Sequence, residues 1–256
     1  MNKHSKPKNL EKEKKENPPA RVSLLDSVRG LSVVLMIAYH MGYNLWMHNF
    51  VPSRVMFHPV LNVLQIIFAA VFITISGIAS CYSRSNLRRG LRLFLVALGI
   101  TLVTSLIDVP VLFGVLHFLS ISMIIYALSR KFWDKIPARI GAPLFLAAFL
   151  TLQPHFPMSA PGNISWLFPL GFRVRGFFSA DYFPLITWFF VFLLGCSLGK
   201  PLLEGRAPKW VYGKKEDQPK PLAIFAWIGQ RALLVYLLHQ PVLYGITLLL
   251  EFFLRR

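Results

Sequence analysis

The sequence predicts an all-α integral membrane protein, a bundle of about seven transmembrane helices with its N-terminus in the cytoplasm. Three observations lead there. Of 256 residues, 55% are hydrophobic and only 15% charged, whereas soluble domains carry about 25% charged residues. Apolar stretches close to the roughly 20 residues that cross a 30 Å hydrocarbon layer recur along the chain. Lys and Arg are concentrated in alternate connectors between those stretches, the asymmetry that orients membrane proteins.

Residues 1–20 have almost no apolar content and end near Pro18 and Pro19, so they read as a disordered basic cytoplasmic tail. Residues 21–256 read as one membrane domain without an internal repeat. The first apolar run is too long for the hydrophobic part of a signal peptide and lacks a small-residue cleavage site, which predicts a retained span. The expected spans are approximately 24–45, 59–82, 91–107, 111–129, 136–152, 182–199 and 227–250. The basic connectors are RSNLRRGLR (Arg84 to Arg92), RKFWDKIPAR (Arg130 to Arg139) and Lys200 to Lys220; the opposite side has only Arg54, Arg173, Arg175 and the terminal Arg255 and Arg256. The net charge of +17 is thereby accounted for by topology and contact with anionic lipid, not by nucleic acid. Cys81 and Cys196 both fall in expected spans without metal-ligand spacing, and read as packing residues. The connector Gln153 to Asp181, rich in Pro, Gly and aromatics, suits a structured lid or re-entrant segment on the outer side.

Polar residues inside the spans point to a function. A charged side chain at the centre of a span costs about 2.5–3.5 kcal/mol on insertion scales, so it needs a partner or a watery cavity. Asp26 and Arg29 are three apart and form a local pair near the inner end of the first span. His40 follows Arg29 by eleven residues, three helical turns and about 16 Å, so Arg29, Met36, His40 and Asn44 share a stripe. His48 falls just past the outer end of that span and His117 in the outer part of the fourth. Asp181 and Tyr182 begin the sixth from outside, and His239 with Gln240 lies near the middle of the seventh, before Pro241. For His239, a hydrogen bond to a neighbouring helix accounts for the residue as well as catalysis does.

The blocks LLDSVRGLSVVLMIAYHMGYNL, GVLHFLSIS, SADYFPLITWFFVFLLGCSLGK and LLVYLLHQPVL together resemble bacterial members of the heparan-alpha-glucosaminide N-acetyltransferase catalytic-domain family, from Arg21 to about Leu250. The resemblance implies a transmembrane acyltransferase that moves an acetyl group from cytoplasmic acetyl-CoA to an extracytoplasmic sugar amine or hydroxyl, with no metal. His40 occupies the position of a functional Asn in lysosomal relatives, and His48 matches their His, which follows the Asn some eleven residues later, only if the loop is shorter here. Both therefore stand as candidates for the base, and His40 also as a transient acetyl carrier. His117 stands where the relatives have Gln, a polar pocket position. The spacing of Arg29 and His40 also resembles the Arg and His pair of membrane acyltransferases that O-acetylate envelope sugars.

On this reading His40, His48 and His117 are the catalytic candidates. Arg29, held by Asp26, joins Arg88 and Arg89 in facing the CoA phosphates, and Asn44, Asp181, Tyr182 and His239 line the acceptor's place. The expected location is the plasma membrane, with lipids, acetyl-CoA and a glycan or amino sugar as partners; a homodimer is allowed. The alternative is a small secondary transporter or proton-coupled carrier that relays protons through its intramembrane histidines.

Overall fold

The computed structural model describes residues 23–205 and 219–254. The basic tail at 1–20 and residues 206–218 of the basic connector lie outside the described residues. In chain order the helices are α1 (Ser23–Met47), the short α2 (Ser53–Met56), α3 (Pro59–Tyr82), α4 (Asn86–Ser105), α5 (Val115–Trp133), α6 (Ala138–Leu152), α7 (Leu185–Leu203), α8 (Lys220–Gln230) and α9 (Ala232–Leu254). Two short strands, β1 (Met158–Ser159) and β2 (Phe172–Arg173), pair in parallel within the long connector between α6 and α7.

Every expected span contains a helix, and α1, α3, α5, α7 and α9 are long and apolar enough to cross a membrane. The protein is a multi-pass, all-α membrane protein. Helix α4 falls short because Arg88, Arg89 and Arg92 crowd its first turns. Helix α6 falls short because its 15 residues reach only about 22 Å.

Three boundaries differ from the sequence expectation. The stretch 227–250 is not one span, because Pro219 and Pro221 start a separate helix, α8, which ends at Arg231. There the guanidinium lies 4.4 Å from the centre of the Trp227 ring. The break holds this exposed cation at a helix junction, outside a continuous apolar span. The fourth span begins at Val115, since Phe113 is engaged in an extended bridge with Tyr182. The sixth begins at Leu185, after Pro184, whose ring fixes an extended backbone at the helix entrance; Asp181 and Tyr182 belong to the connector.

Helix α3 packs between α1 and α7, with α4 against α5 and α6 against α7. The core lies among α3, α5 and α7, where Ile73, Phe118, Tyr126, Val191, Phe192 and Leu193 are fully buried. Glycine sets the closest approach. A Cβ on Gly195 would strike the Thr74 carbonyl, and one on Gly77 the carbonyl of Phe192. Without a hydrophobic driving force between helices in lipid, such small-residue crossings supply association through van der Waals contact. Gly199, one turn beyond Gly195, seats Cys81 of α3. Cys81 and Cys196 are free and buried, and the Cys81 thiol donates to the Cys196 carbonyl at 2.9 Å. A second crossing of this kind joins Gly30 of α1 to the backbone of α8 at Phe225 and Gly229.

Gly195→Ala is therefore expected to lower the melting temperature in detergent clearly, overpacking typically costing about 1–3 kcal/mol. Gly99→Ala, with no atom within 4 Å of the new methyl, is the matched control. An unchanged melting temperature for Gly195→Ala would contradict the crossing.

Candidate active site

Because short connectors join antiparallel neighbours, the connectors at 83–85 and 134–137 lie at the end of the bundle where α1 begins, and those at 48–58, 106–114 and 153–184 at the other. The first end collects Arg84, Arg88, Arg89, Arg130, Lys131, Lys135, Arg139 and Lys200. Arg88 and Arg89 stand exposed there at the start of α4.

At that same end, Asp26 lies in the first turn of α1, where the helix dipole favours negative charge. It is only 4% exposed. Arg29 donates to it through Nη1 at 3.1 Å, and Gln230 of α8 through Nε2 at 3.4 Å. The expected pair is present and docked on the α8 junction.

Three turns further along α1, the His40 ring lies 5.2 Å, centre to centre, from that of His239. The contact brings together residues almost 200 positions apart. His239 sits two turns into α9, not mid-span as the undivided stretch implied. Its Nδ1 lies 2.6 Å from the Tyr236 carbonyl. A carbonyl oxygen only accepts, so Nδ1 carries the proton and Nε2 the lone pair. The Tyr236 hydroxyl in turn donates to Asp181 Oδ2 at 2.8 Å.

Asp181 has a second task. The first amide of α5, at Val115, donates to the same Oδ2 at 2.9 Å. Helix α5 has no side-chain cap of its own, so a carboxylate from the connector satisfies one orphan amide at its positive end. Gly114 makes the approach possible, since a Cβ there would collide with the Asp181 carboxylate.

His117 lies two residues into α5 beyond Val115 and is 4% exposed. Its Nε2 is 3.0 Å from Thr101 Oγ1. That hydroxyl donates its single proton to the Val111 carbonyl at 2.6 Å, so Nε2–H is the donor and Nδ1 holds the lone pair. Asn44 Nδ2, His117 Nδ1, His239 Nε2 and Gln240 Oε1 are buried with no hydrogen-bond partner among the described residues. Nine in ten or more buried polar groups are bonded in native proteins; these four share the exception with Asn86 Oδ1, Ser122 Oγ and Thr187 Oγ1.

Not every candidate joins the cluster. His48, about 12 Å along α1 from His40, meets Glu251 of α9 at 2.7 Å and forms a separate dyad near Tyr244. Tyr182 donates its hydroxyl to the Phe168 carbonyl at 2.6 Å, and its ring lies beside Phe177 and the Arg173 guanidinium. These contacts tie the aromatic residues of the connector to one another. Sequence reasoning missed Tyr236, Glu251, Gln230 and Thr101. Tyr236 was signalled by its spacing of three from His239 and Glu251 as the only acid of α9; Thr101 and Gln230 gave no signal.

The contact pairs a half-buried imidazole on α1 with a buried one on α9, and the sequence match decides the family. Residues 21–241 match the catalytic family described as heparan-alpha-glucosaminide N-acetyltransferase. The chain belongs to that family. Nothing among curated proteins or solved structures matches it. Family membership makes it a membrane acetyltransferase in general terms and implies acetyl-CoA as co-substrate. The matched stretch includes His40, His117, Asp181, Tyr236 and His239 and ends before Tyr244 and Glu251. Arginines gather at one end of the bundle, and the imidazole contact joins α1, three turns beyond Arg29, to α9.

Proposed function

We propose that the protein transfers an acetyl group from cytoplasmic acetyl-CoA to the amine or hydroxyl of a sugar on the outer side of the plasma membrane. The observation that carries this reading is the contact between His40 and His239, two imidazoles inside the bundle of a chain that belongs to an acetyltransferase family. Ionisable groups at membrane depth mark functional sites because keeping them there is costly. Acyl transfer needs a group that takes the acceptor's proton and a donor that steadies the developing oxyanion, and an imidazole serves either role. Arg29, held by Asp26, faces the CoA end of the donor together with Arg88 and Arg89. The rise from Arg29 to His40, about 16 Å, is comparable to an extended pantetheine arm. Asn44, His117 and Gln240 offer the acceptor polar contacts, and Asp181 anchors the lid beside them.

Purified protein in detergent, given acetyl-CoA and glucosamine, is expected to release CoA and form the N-acetyl sugar. Failure to bind or consume acetyl-CoA with amino sugars and neutral sugars alike would refute the reading. It would favour a carrier that moves protons through the same imidazoles.

Sidedness has its own check. Phe178→Cys, in the exposed part of the lid, is expected to react with an impermeant thiol reagent on intact cells, and Arg84→Cys only after lysis. Both native cysteines are buried and can stay. The reverse labelling would invert the orientation.

A further inference from the structure

We infer that His239 is a catalytic residue, the base that takes the acceptor's proton through Nε2, while His40 across from it faces the acetyl carbonyl. The inference rests on the acetyl-transfer reading above and assigns the proton step within it. The Tyr236 carbonyl, 2.6 Å from Nδ1, leaves the imidazole one tautomer when neutral, with its lone pair on Nε2. That nitrogen is buried without a partner among the described residues, on a side chain 7% exposed. The orienting contact is itself braced, because the Tyr236 hydroxyl is tied to Asp181 and Asp181 to the start of α5. An imidazole oriented at one nitrogen and free at the other has the arrangement of a general base.

The step balances without a further reactant. The free amine or hydroxyl of the acceptor attacks the acetyl carbonyl carbon, forming the new N–C or O–C bond. The C–S bond breaks and CoA leaves as thiolate. The acceptor's proton passes to His239 Nε2 and from there to the thiolate, giving CoA thiol and neutral His239.

The discriminating variant is His239→Asn. Its side-chain amide still donates to the Tyr236 carbonyl from the position of Nδ1 but has nothing at Nε2. Purified His239→Asn, assayed with acetyl-CoA and glucosamine, is expected to bind acetyl-CoA as the parent protein does and to turn over about 100-fold more slowly or worse. His239→Gly, which opens space for a small molecule, is expected to regain transfer on addition of imidazole, a response that loss of a merely structural contact would not show. Parental turnover by His239→Asn would overturn the inference alone, as would loss of acetyl-CoA binding in step with turnover or no response of His239→Gly to imidazole. Absence of acetyl transfer by the unsubstituted protein would instead sink the acetyl-transfer reading, and this assignment with it.

Discussion

His40→Ala is expected to lower acetyl transfer by about 100-fold or more while acetyl-CoA binding and melting temperature persist. The size follows from acting in the transition state: a missing oxyanion donor spares the ground-state complex. His48→Ala is the informative companion. Its imidazole is committed to Glu251 at 2.7 Å and stands two turns outward from the pair of rings, so a change of only a few-fold is expected. If His48→Ala abolishes transfer and His40→Ala merely weakens it, the roles are exchanged and the dyad of His48 and Glu251 becomes the catalytic centre. If both variants keep parental rates, the chemistry does not pass through α1.

The second large effect is expected on donor binding. Arg29→Ala removes a planar fork at the inner end of the stripe and is expected to weaken acetyl-CoA affinity about tenfold or more, with Arg29→Lys restoring only part of it. Removing the cation also takes the Arg29 contact from Asp26, 4% exposed, and breaking a buried pair commonly costs about 3–5 kcal/mol. The double variant Asp26→Asn with Arg29→Ala separates the two effects. It is expected to recover the melting temperature and not the affinity. Parental acetyl-CoA binding by either folded variant, measured by calorimetry, would leave Arg29 a structural residue.

What the sequence disclosed and what it withheld divide along a physical line. Helix positions were legible because apolar length is written locally; so was the pair of Asp26 and Arg29, which needs only a spacing of three. The depth of His40 along α1 was legible from its eleven-residue distance to Arg29. The contact of His40 with His239 was not, because it depends on how α9 packs against α1 after the break at Arg231. That break was hidden by the apolar residues on either side of it, although Gln230 and Arg231 were the cue. The double role of Asp181 was invisible for the same reason. A carboxylate that caps a helix 66 residues earlier leaves no local trace, and only Gly114, kept small to admit it, hints at the contact. The glycine crossing was the one long-range feature open to inspection, since Gly195 and Gly199 form a small-residue stripe on α7.

The measurement that bears most directly on transfer across the membrane is a two-compartment assay. Protein reconstituted into sealed vesicles, with acetyl-labelled CoA outside and glucosamine trapped inside, is expected to accumulate labelled N-acetylglucosamine in the lumen while free CoA appears outside. His40→Ala vesicles of equal protein content are expected to show neither. Labelled sugar formed only where acetyl-CoA and glucosamine share a compartment, or no labelled sugar in either, would contradict acetyl transfer through the bundle.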